Sequence, residues 1–154
     1  MNTSEIIDIH SKAPYPSCAL SNFAGYEFFV DGVRCNSMEG FLQSLKFRSP
    51  GKQRKICLLK GSQAKKSTAH SFAQLRWRLT RKLYWQGRKI SRFSAEYQLL
   101  LDKAYAALSE NGEFMRALKS TEGKGLIHSI GKTDCRKTVL TQEEFIRRLL
   151  ELRG

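Results

Sequence analysis

The sequence predicts a mainly helical α+β fold, a single domain in which several helices pack beside a small antiparallel sheet. Three observations carry this. A chain of 154 residues suits one domain with one core. Asp31-Gly32 separates two short alternating apolar runs, the pattern of a β-hairpin. Further on, apolar residues recur at spacings of three and four, as on helices that bury one face.

Element by element, Pro14 and Pro16 argue against regular structure near the N-terminus. In EFFVDGVRC, Phe28 and Val30 precede the turn, and Val33 and Cys35 follow it, alternating as strands do. Asn36 reads as the N-cap of the next helix, with Glu39 at the third helical position as in a capping box. That helix is expected to run to about Phe47, with Met38, Leu42 and Leu45 facing inward. Glu39, Gln43 and Lys46 form a second stripe on another face. Ser49-Pro50-Gly51 stops it. Two short helices are expected at 52–59 and 62–72, broken at Gly61. The stretch 84–108 reads as mostly helical, although Gly87 weakens its start by about 1 kcal/mol relative to Ala. Asn111 starts another helix carrying Phe114 and Leu118, and 125–130 reads as a strand. Thr141 caps a final helix with Phe145, Leu149 and Leu152 inward. Glu143–Arg147 and Glu144–Arg148 lie at helical i, i+4 spacing.

Composition narrows the functional classes. No run approaches the roughly 20 apolar residues of a transmembrane helix. The N-terminus lacks a basic segment followed by an apolar run, so no signal peptide is read there and cytosolic residence is expected. The cysteines, Cys18, Cys35, Cys57 and Cys135, are scattered, without the spacing of a zinc site, and read as free thiols. Net charge is +13, unevenly placed: from Gly40 to Ala95 there are 15 Lys or Arg and no Asp or Glu. Such a run of unpaired like charges favours an anionic partner, either nucleic acid or a small phosphorylated ligand.

Within that basic setting, Glu39 stands alone. It is either a capping residue or a carboxylate able to stabilise an oxocarbenium ion or activate water. Gln43 and Lys46, one and two turns on, could hold polar groups or phosphates of a ligand. Asn22, in LSNF, suits either turn chemistry or contact with a base or ribose. Trp77 and Trp85 flank the cluster RWRLTRKLYWQGRK, where aromatic rings among cations suit either core packing or base stacking. His128 and Asp134 could supply a second acid or base.

These residues in this order resemble the NADAR family. The likeness runs through LSNF (20–23), the hairpin FFVDGV, SMEGFLQSLKF (37–47), GSQAKK (61–66), RKLYWQGRK (81–89), RALKST (116–121) and LIHSIGKTD (126–134). SMEGFLQSLKF is similar to that family's Glu-x-x-x-Gln-x-x-Lys helix. The resemblance implies an α+β fold with a helix-lined pocket. It also implies cleavage of an N-glycosidic bond, in phosphorylated ribosylamino-pyrimidine compounds or in ADP-ribose attached to guanine. No cofactor or metal is expected. Glu39 would be the catalytic carboxylate, and Asn22, Gln43, Lys46, Trp85, Lys89 and Asp134 would line the pocket. Binding of ADP-ribose or NAD-derived nucleotides without cleavage, and direct nucleic-acid binding, are the alternatives.

Two departures stand out. The family commonly has Asp-Trp-Asp where this chain has Tyr84-Trp85-Gln86, and Trp-Gly-x-Gly where Cys135-Arg136-Lys137-Thr138 follows Asp134. A pocket wall made by that second loop is expected to be altered or missing. A short form with such departures suits a mobile element or bacteriophage, with the host cytoplasm as its place of action.

Overall fold

A computed structural model describes residues 5–154. Among these, the elements follow as β1 (Ile6–Asp8), α1 (Ser17–Leu20), β2 (Phe28–Val30), β3 (Val33–Cys35), α2 (Met38–Ser44), α3 (Pro50–Cys57) and α4 (Gly61–Lys66). Then come α5 (Phe72–Thr80), β4 (Lys82–Trp85), β5 (Arg88–Ser91), α6 (Ala95–Ser109), α7 (Gly112–Lys119), β6 (Gly125–Ile127) and α8 (Gln142–Arg153). The fold is mainly helical α+β, as expected. Its strands form three separate two-stranded sheets. β2–β3 and β4–β5 are antiparallel hairpins, whereas β1 pairs in parallel with β6.

The first hairpin forms as the sequence indicates. Asp31 and Gly32 take φ of +48° and +79°, the left-handed pair that a type I′ turn requires. A second hairpin replaces the helix expected from residue 84. Gln86 and Gly87 have φ of +49° and +85°, so Gly87 serves as a turn residue and not as a flaw in a helix. Helix α6 begins only after Ser94, whose hydroxyl accepts the Tyr97 amide, and Phe93 is exposed instead of joining the apolar stripe. The segment expected as one helix over 62–72 is split. α4 ends at Lys66, and Ser71 caps α5 by accepting the Gln74 amide.

One apolar cluster links the pieces. α6 supplies Tyr97, Leu101, Ala104, Tyr105 and Leu108, and packs against β2, β5, α7 and α8. Trp85 is buried edge-on against Phe41, with ring centroids 5.1 Å apart. Its indole N–H donates to Asp31 Oδ2 at 2.8 Å, which ties the second hairpin to the turn of the first. α8 carries the expected Thr141–Glu144 capping box. Its two expected i, i+4 ion pairs do not form among the described residues. Glu144 pairs instead with buried Arg92, Arg148 with Asp102, and Arg147 lies 3.8 Å from Glu151.

Candidate functional site

The site is built outward from the start of α2. Ser37, and not Asn36, is its N-cap: the Ser37 hydroxyl accepts the Gly40 amide at 3.0 Å and donates to the Leu59 carbonyl at 2.7 Å. Asn36 instead donates its side-chain amide to the Leu58 carbonyl. Gly40 faces the end of α3 so closely that a β-carbon there would lie 2.7 Å from the Leu59 oxygen. With the cap moved one residue, Glu39 is the second helical residue and takes no part in capping. Its amide donates to the Asn22 carbonyl at 3.0 Å, and the Asn22 side-chain oxygen accepts from the Tyr105 hydroxyl at 2.7 Å.

The carboxylate of Glu39 points along α2, where Gln43 Nε2 donates to its Oε1 at 2.9 Å. The Gln43 carbonyl in turn accepts from the Thr68 hydroxyl at 2.5 Å. After Ser44 the chain continues in tight turns to Phe47, with the amides of Lys46 and Phe47 donating to Gln43 and Ser44. This keeps Lys46 on the same side. Its Nζ donates to Gln74 Oε1 at 2.7 Å, and its backbone carbonyl accepts from Arg76. Burial pushes the Glu39 carboxyl above its usual value, against the pull of Gln43, Lys46 and Lys65. Burial likewise pushes the Lys46 amine down to about 8. Glu39 opposes this, and Lys132, Arg78 and Lys65 add to it.

These groups open into a cavity of about 1000 Å³. Lys65 of α4, Thr68 just after it, and Phe72, Gln74, Trp77 and Arg78 of α5 line one part of it. His10 and Lys12, with His128, Lys132 and residues 137–141, line another. His128 Nδ1 lies 2.8 Å from the Ile9 carbonyl, which can only accept, so Nδ1 carries the proton and Nε2 keeps its lone pair in the neutral ring. Among the described lining residues Glu39 is the one acid, beside six cations: Lys12, Lys46, Lys65, Arg78, Lys132 and Lys137.

The loop that departs from the family pattern after Asp134 brings Lys137, Thr138, Val139 and Leu140 to the cavity, and it is firmly held. Tyr97 donates its hydroxyl to the Val139 carbonyl at 2.6 Å, and Arg92 Nε donates to Thr138 O at 2.9 Å. Gln142 donates through its backbone amide to Lys132 O and through its side chain to Gly131 O. Polar clamps from α6, α8 and Arg92 thus do the holding.

Of the residues singled out from the sequence, Asn22, Glu39, Gln43, Lys46, Trp77 and His128 meet at the cavity. Trp85, Lys89 and Asp134 do not. Trp85 is consumed by the core and by Asp31. Lys89 is exposed on β5, paired across the hairpin with Tyr84 and apart from the cavity lining. Asp134 bonds to Arg136 within its own loop, at the surface. Thr68, Gln74, Lys65, Arg78 and Lys132 were not singled out. Lys65 and Arg78 lie within the basic run and are exposed like many of its members, so nothing local marks them.

The fold is that of a YbiA-like, mainly helical α+β protein. The likeness is to the NMR structure of the E. coli protein YbiA, with a TM-score of 0.55 at 18% identity, covering 99% of this chain and 85% of that one. The chain belongs to the bacteriophage protein GP30.3 family, which it matches over residues 14–154. It is 40% identical over 145 residues to a 17.1 kDa protein in the Gp30–rIII intergenic region of Enterobacteria phage T4, with 91% of each chain covered. Among the described residues no helix is long and apolar enough to cross a membrane, and no cluster of three or more His, Cys, Asp or Glu could hold a metal ion.

Proposed function

We propose that this protein hydrolyses an N-glycosidic bond in a phosphorylated ribonucleotide or ADP-ribosyl compound. The observation that carries the reading is a single carboxylate, Glu39, in a cavity whose other charged lining residues are all Lys or Arg. Cations at the walls suit phosphate oxygens. A lone anion among them suits the point where positive charge develops, the anomeric carbon as its bond to nitrogen breaks. The leaving nitrogen takes the bonding electron pair and is protonated from solvent. Water adds to the carbon, and Glu39 accepts one of its protons. Burial raises the proton affinity of Glu39, and Gln43, Lys46 and Lys65 keep it available in ionised form. Trp77, buried in the cavity wall, adds apolar lining beside the cations. The resemblance to the NADAR family and the fold shared with YbiA, a NADAR-family protein, support the same reaction class.

The test is incubation with an ADP-ribosylated guanine nucleotide, ADP-ribosylated DNA and NAD, with released sugar or base read by mass spectrometry. Glu39→Gln is expected to fold, to bind and to lose turnover by about two orders of magnitude or more. A Glu39→Gln protein that turns over normally removes this role. Saturable binding by the wild type without product makes it a binder instead. Binding to any polyanion with a steep fall in affinity as salt rises makes it a nucleic-acid-binding protein.

A further inference from the structure

We infer that Thr68 is a positioning residue for the proposed hydrolysis: its hydroxyl fixes the Gln43 amide with the NH₂ end turned to Glu39. The inference rests on the reading of Glu39 given above. An amide side chain has two ends of nearly the same shape, and only its partners decide which way it faces. The far side of Gln43 is occupied by Thr68, 2% exposed and held in the turn between α4 and α5. The single hydroxyl proton of Thr68 has two acceptors in reach, Gln43 Oε1 at 2.5 Å and Lys65 O at 3.4 Å. The nearer one takes it. Gln43 Oε1 is then an acceptor, and Nε2 necessarily faces Glu39 at 2.9 Å. The reversed amide would set a carbonyl oxygen against the carboxylate and leave the hydroxyl proton only the distant Lys65 carbonyl.

The three groups therefore form a directed chain in which each hydrogen bond polarises the next. Its end is the ionised carboxylate that the reaction uses. The other groups facing Glu39 are Lys46 from the turns after α2, Lys65 from α4 and Tyr105 from α6. None of them touches the Gln43 amide, so none can set its direction. Helix spacing explains how Gln43 reaches Glu39. Thr68, 25 residues on, explains which end of it arrives.

The experiment compares wild type, Thr68→Val and Thr68→Ser. Thr68→Val keeps the shape and removes the hydroxyl, and Thr68→Ser keeps the hydroxyl. The Glu39 carboxyl is titrated by carbon-13 NMR in the ligand-free protein. kcat and KM are followed against pH with the ADP-ribosylated guanine nucleotide. Thr68→Val should move the Glu39 midpoint upward and the acid limb of kcat with it. A shift of one unit lowers kcat about tenfold below the limb, with recovery at higher pH. KM should stay within about twofold. Thr68→Ser should match wild type in both. A Thr68→Val protein that titrates as wild type, or a Thr68→Ser protein that fails to restore, overturns the inference. Should Thr68→Val not fold, Thr68→Cys, with a weaker donor of similar size, is expected to give an upward shift. Its absence is equally fatal. If wild type hydrolyses nothing, the proposed function falls, and the NMR titration still decides the role of Thr68.

Discussion

With 7% exposure, the Lys46 amine keeps one hydrogen bond, to Gln74, and loses most of its hydration. Its proton is lost near pH 8, where an ordinary lysine would hold it to 10.5. A neutral amine no longer attracts phosphate, so kcat/KM for a phosphorylated substrate is expected to fall as pH rises through about 8. Lys46→Met should lower kcat/KM and abolish that alkaline limb, which a pH profile of initial rates checks. Glu39 and Lys46 thus perturb each other in opposite senses, as acid–base pairs in sites do. Asp134 shows the contrast. It is a surface carboxylate held low by Arg136, first through the side chain and then the backbone amide, and its pairing is local.

At the level of elements, the decisive contact is α2 against α3. A methyl at residue 40 would press on three backbone carbonyls, those of Leu59, Ile56 and Cys57, which cannot rotate away. Gly40→Ala should therefore cost about 1–3 kcal/mol, read by denaturant unfolding, even though Ala is the better helix former. The same elements show what the sequence made legible. Asp31-Gly32 between alternating runs announced the first hairpin, because its turn chemistry is local. Gln86-Gly87 makes the same turn, yet it follows a basic helix and precedes an apolar 3.6-residue period, so the helical pattern masked it. The Glu39–Gln43–Lys46 stripe was visible because four residues of helix bring those side chains together. Thr68 was invisible for the converse reason, and so was the indole of Trp85, whose partner Asp31 lies 54 residues away. The i, i+4 pairs on α8 failed because Arg92, 52 residues before Glu144, offers two parallel hydrogen bonds in a buried setting.

At the scale of the whole molecule, the Arg92–Glu144 pair is a buried ion pair that ties α8 to the segment after β5. Arg92 is 1% exposed, lies over the Tyr97 ring at 4.8 Å and also holds Thr138 O. Burial works against the Glu144 charge, but Arg92, Gln98 and the Thr141 amide outweigh it and hold the carboxyl below 4.5. A carboxylate with a lowered folded-state pKa contributes stability above its unfolded value and loses it as pH falls through the folded one. Thermal stability is expected to fall as pH drops below about 4.5. Arg92→Ala should cost about 3–5 kcal/mol at neutral pH and flatten that acid dependence. Scanning calorimetry across pH measures both. Because the same arginine fixes the cavity wall at Thr138, its loss should also loosen the site.

The parallel pairing of β1 with β6 has a consequence for how the protein is made. The Ile9 carbonyl that fixes His128 leaves the ribosome early, and the imidazole it orients is 119 residues behind it. The lining carried by α4 and α5 emerges in between. Domains tend to fold from the N-terminus during synthesis, but this cavity has half its lining in the first and last parts of the chain. A nascent chain can therefore form the α2–α3 contact and both hairpins while the cavity is still open on one side. The enclosure exists only after α8 has been released, so the site is assembled later than the contacts around α2 and α3.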